Sequence, residues 1–184
     1  AVCPKTNNVI EYGDLVSLEM ALKAHGHKVA AFIVEPVQGE AGVVVPEPGY
    51  LSGCARLCKE HNVLFVADEI QSGLGRTGRL LACEHDNARP DMVLLGKALS
   101  GGVYPVSAVL ADKQVMLCIQ PGEHGSTFGG NPVACVAAMA ALQVLVDEGL
   151  IEKSQEMGIY FRAKLSELQQ KHPAIEQVRG LGLM

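Results

Sequence analysis

The sequence predicts an α/β fold, a mainly parallel sheet flanked by helices. Short apolar runs at 29–34, 63–67 and 92–95 have the continuous character of strands buried on both faces. Helical patterns lie between and after them, the rhythm of strand-helix-strand units. Each run also delivers polar or small residues at its carboxyl end, namely Glu35, the pair Asp68-Glu69, and Gly96-Lys97, where open α/β sheets place their ligands.

Taken in order, Asp14 caps an expected helix over 15–23, with Leu15, Leu18 and Leu22 on one face and Gly26 at its end. The run Val29 to Val34 then enters the turn-rich Glu35-Pro36-Val37-Gln38-Gly39-Glu40-Ala41-Gly42. Residues 48–61 read as a helix, 63–67 as the next strand, and Pro90-Asp91 restarts the chain into the strand 92–95. A further strand is expected at 105–110. Asn131 as cap and Pro132 in the first turn start a long apolar helix to Asp147. An amphipathic helix follows over about 150–170, and 173–184 looks like the start of a new unit.

Composition removes several classes of function. With 184 residues and 48% apolar, the chain can bury a core and is not disordered as a whole. A net charge of -5 without a basic stripe argues against nucleic acid. Trp is absent and aromatics are 4%, so neither a base-stacking platform nor an interfacial membrane belt is indicated. No apolar run approaches the roughly 20 residues that span a bilayer, and the chain reads as soluble. The six cysteines, Cys3, Cys54, Cys58, Cys83, Cys118 and Cys135, form no CxxC pair and fit a reducing compartment. Cys54, Cys58 and His61 share a helical face, the residue types of a zinc site, but Leu51 and Leu57 share it too, and core packing is the plainer reading. The first five residues carry no initiator Met and no targeting pattern, and the last stop inside an apolar run; a piece of a longer chain is expected.

The chemistry centres on Leu94-Leu95-Gly96-Lys97-Ala98-Leu99-Ser100-Gly101-Gly102. A lysine against apolar surface at a strand end is held more readily as the free amine, which attacks an aldehyde carbon; the bland alternative is a lysine snorkelling to solvent. Glu35 and Glu40, and Asp68 and Glu69, read either as catalytic carboxylates or as ordinary loop acids. Gly73, Gly75 and Gly78 match G-x-G-x-x-G literally, yet Asp68 to Ser72 intervene after the strand and no clear helix follows, so a convoluted loop is expected rather than a dinucleotide fingerprint. Gly125-Ser126-Thr127-Phe128-Gly129-Gly130-Asn131-Pro132 is a glycine-rich loop with two hydroxyls, able to hold a phosphate. His124, just before it, reads as an acid or base or as a structural hydrogen-bonding residue. An acid, a lysine and two hydroxyls together are what pyridoxal phosphate requires.

Four segments, Val34 to Gly42, Ala67-Asp68-Glu69-Ile70-Gln71-Ser72-Gly73 with Gly75-Arg76-Thr77-Gly78, Gly96-Lys97-Ala98-Leu99, and the 125–132 loop, resemble the class III pyridoxal-phosphate-dependent aminotransferases over essentially the whole chain. The segments 95–102, 104–110 and 121–125 are more similar to the ornithine-using branch than to acetylornithine relatives. The resemblance implies the large domain of a fold type I transferase, with residues 1–172 as part of it, incomplete at its N-terminus, and 173–184 as the start of a C-terminal small domain. It implies Lys97 as the Schiff-base lysine, Asp68 as partner of the pyridinium nitrogen, Gln71 near the ring oxygen and Ile70 on the ring face. Ser126 and Thr127 would reach the phosphate held by the neighbouring subunit, making a homodimer part of the site. Glu40 would be the gating glutamate for the second substrate, its arginine partner lying beyond Met184.

The implied reaction moves the δ-amino group of ornithine to 2-oxoglutarate, with pyridoxal 5'-phosphate as cofactor and no metal, nucleic acid or membrane partner. Cytoplasm and mitochondrial matrix both fit. The segment alone is expected to bind cofactor poorly. Two alternatives stand beside this one: an acetylornithine or 4-aminobutyrate aminotransferase of the same class, and a non-catalytic α/β scaffold subunit.

Overall fold

The structure, a computed structural model, describes residues 9–184; Cys3 and the opening pentapeptide lie outside the described residues. The expected elements form at or near their expected places, with one short helix, α3, that the sequence reading lacks. The elements are α1 (Leu15–His25), β1 (Ala31–Val34), α2 (Tyr50–Glu60), β2 (Leu64–Asp68), β3 (Met92–Leu95), β4 (Ala108–Ala111), α3 (Lys113–Met116), α4 (Pro132–Asp147) and α5 (Leu150–Lys171). The four strands lie in the order β1-β2-β3-β4. β1 pairs in parallel with β2, and β2 with β3, whereas β4 is antiparallel to β3, with Leu95 opposite Ala108. A parallel neighbour needs a long crossover, usually a helix; the link from β3 to β4 holds only the 3-10 turn Lys97–Ser100, so the chain doubles back.

Side-chain alternation sorts the sheet into two faces. Phe32, Val34 and Phe65 face α1 and α2, packing with Leu18, Leu22, Leu51, Cys54, Leu57 and Cys58. Val93, Leu95 and Ala108 continue the same face under α4, against Ala138, Leu142 and Leu145. The opposite face departs from the sequence expectation of double cover: Ile33 is 60% and Val109 49% exposed. α1, α2 and α4 pack on the first face; on the other, Val66 is buried, while Ile33 and Val109 at the outer strands lack cover inside this chain.

Cys54 and Cys58 belong to the core, and burial pushes their thiols up to about 12 and about 11, away from the thiolate that binds metal. His61 packs on Gly26, which does not stop α1 in a left-handed cap but continues it into the 3-10 turn Gly26–Lys28. No single helix among the described residues is long and apolar enough to cross a bilayer.

Three helix starts show how the elements are set. Asp14 accepts a hydrogen bond from Val16 N at 2.8 Å, and Asn131 from Ala134 N at 3.0 Å, as their positions in the sequence require. α2 has no side-chain cap of its own. Asp86, 34 residues beyond Ser52, supplies it by accepting from Gly49 N at 2.6 Å and Ser52 N at 2.9 Å, a carboxylate at the positive end of the helix dipole. Asp86→Ala is therefore expected to lower stability by about 1–2 kcal/mol, read as a shift in the urea midpoint with unchanged slope.

Candidate active site

Lys97 follows β3 by two residues. Its φ of +42° lies in the left-handed region, a costly conformation for a residue with a Cβ and one that recurs at functional sites. The surroundings hold it there. Leu95 and Leu99 on either side are buried against α4, Leu99 N donates to Gly96 O at 2.9 Å, and Gly101, also left-handed, closes the turn. The residue is exposed, as the snorkelling alternative has it, rather than enclosed by apolar surface. It stands where two openings meet. One is a cavity of about 1090 Å³ that includes Ile70, Gln71, Gly39, Arg76 and the small residues of α4; the other, about 590 Å³, is bounded by Ser107 and Phe128 to Gly130. In the larger cavity the two ionisable lining residues, Lys97 and Arg76, are both basic, so it favours an anionic ligand.

The segment between β2 and β3 brings Ile70 and Gln71 to this cavity. Asp68 Oδ1 accepts from Ile70 N at 3.1 Å, and Glu69 N donates to Leu94 O at 3.0 Å, which ties the turn to β3. Ile70 lies against Gly96, where an added Cβ would come within 3.3 Å of its Cγ2. Gln71 lies over Gly39, and any side chain at 39 would overlap its amide; this is the close approach that requires glycine. Gly75 and Gly78 adopt left-handed backbone against α4 and α5, and the chain continues through turns to the 3-10 turn Ala82–Asp86. No helix opens after Gly78, so these glycines serve packing and not a dinucleotide loop.

The other sequence-picked residues are distributed around this centre. Asp68 is half-buried at the end of β2, in register with Leu94, and opens into a separate cavity of about 220 Å³ with Tyr12, Phe32 and Glu35. Glu35 Oε2 accepts from Gly39 N at 3.1 Å and so braces the turn that carries Glu40. Glu40 is exposed, and the same turn is held from the far end of the chain by Arg179, whose Nε donates to Gly42 O at 2.7 Å. Ser126 and Thr127 are exposed and do not line the Lys97 cavities, although the adjoining 128–130 segment does; Ser126 Oγ accepts from Gly129 N at 2.8 Å. His124 is exposed in the same loop.

Two contributors are not evident from the sequence reading. Arg76 stands in the cavity wall, and its carbonyl accepts from Leu183 N at 2.9 Å and Ser154 Oγ at 3.0 Å, which docks the 173–184 segment and α5 on the loop. Gly182, left-handed and against the backbone of Thr77, permits that docking. Glu69, which the sequence places beside Asp68 as a second candidate acid, is 1% exposed and turned into the protein.

An amine at the carboxyl edge of an α/β sheet, facing an open basic cavity, suits a lysine-dependent transferase. The sequence model for Aminotransferase class-III matches residues 5–184. The chain belongs to the class-III aminotransferase family. It is 55% identical over 176 residues to the mitochondrial ornithine aminotransferase of Oryza sativa subsp. japonica, covering 95% of this chain and 37% of that relative. To the Rattus norvegicus protein of the same name it is 59% identical over 175 residues, 95% of this chain and 39% of that one.

Among solved structures, the acetylornithine aminotransferase of Elizabethkingia anophelis superposes with a TM-score of 0.92 at 55% identity, over 95% of this chain and 43% of that chain. An ornithine aminotransferase of Toxoplasma gondii, crystallized with oxidized glutathione and described as having partial PLP occupancy at its active site, gives 0.91 at 55%, over 95% and 41%. The chain thus spans about two-fifths of the length of its curated relatives.

The residues present fit the ring end of pyridoxal phosphate. Lys97 offers an amine, Ile70 a hydrocarbon face and Gln71 an amide, and the missing side chains of Gly39 and Gly96 give Gln71 and Ile70 their places. Both basic residues of the cavity suit its anionic character.

Proposed function

We propose that this chain carries the lysine-bearing part of a homodimeric aminotransferase. With pyridoxal 5'-phosphate as cofactor, the enzyme moves the δ-amino group of ornithine to 2-oxoglutarate, giving glutamate 5-semialdehyde and glutamate. The observation that carries this is Lys97, fixed in left-handed backbone past β3, in one cavity with Ile70 and Gln71. Lys97 would hold the aldehyde end of the cofactor, Ile70 would pack on the ring face, Gln71 would donate to the ring oxygen and Asp68 would keep the ring nitrogen protonated. When bound, the cofactor supplies a sink for the electron pair left as a proton leaves the substrate carbon. Lys97 Nζ, on a flexible stem in an open cavity, would be the group that accepts and carries that proton.

Ser126 and Thr127 face outward and serve the phosphate site of the second subunit. That reading is supported by the apolar surface left uncovered on α4, where Met139 is 70% and Val136 65% exposed, as at a face that a partner covers. Glu40, in the exposed turn braced by Glu35 and Arg179, gates the second substrate, and residues 173–184 lead into the small domain. A second reading, acetylornithine as donor, is favoured by the likeness to the Elizabethkingia anophelis enzyme.

The test uses the full-length protein. Loading with pyridoxal phosphate, borohydride reduction and peptide mapping are expected to place the label on Lys97, and donors offered singly to give turnover with ornithine. A folded, cofactor-saturated protein without label on Lys97 would overturn the assignment; turnover with acetylornithine and none with ornithine would establish the second reading.

A further inference from the structure

We propose that Glu69 is a positioning residue for the cofactor site, acting through the turn that carries Ile70 and Gln71; this rests on the function proposed above. Glu69 is 1% exposed, and among the described residues no lysine or arginine forms a salt bridge with it. An acid in such a place is expensive unless hydrogen bonds satisfy it. They do: Oε2 accepts the Ser72 hydroxyl at 2.6 Å, and Oε1 accepts Cys83 N at 2.8 Å. The first distance lies at the short end of the O–H···O range.

The backbone of Glu69 is committed as well. Its N–H donates to Leu94 O at 3.0 Å, and its carbonyl accepts Gly73 N at 2.9 Å. Glu69 therefore closes a tight turn over residues 69–73 on itself, fastens it to β3 three residues before Lys97, and staples its far side to the 3-10 turn Ala82–Asp86. A side chain at Gly73 would come within 2.8 Å of Glu69 O, so the closure also depends on glycine there.

The two residues that project from this closed turn are Ile70 and Gln71, and they meet Gly96 and Gly39 with no space to spare. A turn free to relax would move both relative to Lys97. Asp68 and Glu69, adjacent in sequence, thus divide the work: Asp68 stands half-exposed at the strand end, while Glu69 faces the other way and sets the frame. His85, nearby, donates from Nε2 to Thr77 O at 3.0 Å, and burial lowers its proton affinity.

The test compares Glu69→Gln, Glu69→Leu and Ser72→Ala in the full-length protein. Glutamine retains an acceptor for Cys83 N and offers its amide to Ser72 Oγ, whereas leucine removes both bonds and Ser72→Ala deletes one hydroxyl. Readouts are the dissociation constant for pyridoxal phosphate, the visible absorption band of the bound cofactor and its pH midpoint, and the thermal midpoint. Loss of a buried bond to a charged group corresponds to about a tenfold change. Glu69→Leu is expected to weaken cofactor binding about tenfold or more and to shift the band or its pH midpoint. Ser72→Ala should do the same to a smaller extent while the fold melts near the wild-type temperature, and Glu69→Gln should stay close to wild type.

If Ser72→Ala and Glu69→Leu both keep the wild-type dissociation constant and band, or if only the melting temperature falls, the positioning role is overturned. Should Glu69→Leu not fold, Ser72→Ala decides alone. A wild-type protein that takes no label on Lys97 overturns the underlying function instead, which keeps the two failures apart.

Discussion

Replacing Lys97 by alanine in the full-length protein is expected to lower kcat by at least about 10³-fold, within the range for loss of a positioned proton-transfer group, and to abolish labelling by borohydride at this site. The stability should change little, because the side chain is exposed and alanine leaves the same non-glycine backbone to be held at φ +42°. Lys97→Arg separates charge from chemistry. Arginine keeps the positive charge of the cavity but stays protonated, so it can neither attack a carbonyl nor shuttle a proton near neutral pH. It is expected to be as inactive as alanine. A small primary amine added to Lys97→Ala should restore part of the rate, since the 1090 Å³ cavity leaves room for it. An arginine variant with wild-type turnover would show that the lysine serves only as a charge.

The second large effect is structural. Phe65→Ala is expected to cost about 3–5 kcal/mol, the range for truncating a buried aromatic side chain. Phe65 is 1% exposed on the covered face of β2, packed with the α1 and α2 core. Its backbone is not the source of the loss: Phe65 N still donates to Asp91 Oδ2 at 2.8 Å, and Phe65 O still accepts from Asp91 N at 2.8 Å. Met20→Ala on the exposed side of α1 serves as the control and should stay within about 0.5 kcal/mol. Urea denaturation of both variants provides the comparison, and equal losses would overturn the assignment of the covered face.

Much of the molecule is legible in the sequence because its signals are local. Asp14, Asn131 and Pro132 announce their helices through hydrogen bonds and backbone angles that need no distant partner, and the apolar runs 63–67 and 92–95 locate β2 and β3. The reversal at β4 is less legible, since an apolar run does not reveal the direction in which it pairs. Neither is the cap of α2 legible, because Asp86 arrives from a segment beyond β2. Nor does adjacency in sequence distinguish Asp68 from Glu69: successive residues at a strand end point to opposite sides, and only packing decides which is buried.

By itself, then, the sequence determined the α/β class, the order of the elements, the lysine at the end of β3 and the family to which the chain belongs. Each depends on periodicity, capping or motif, which a short window of residues carries. The tertiary structure decided what depends on contacts between distant segments. It placed the helices on one face of the sheet, left Ile33 and Val109 without cover, and brought Arg76 and Gln71 into the Lys97 cavity. It also placed Asp68 beside Tyr12, Phe32 and Glu35 and buried Glu69 as a hydrogen-bonded anchor. The physical reason is that burial and pairing are properties of two surfaces meeting, and a single segment specifies only one of them.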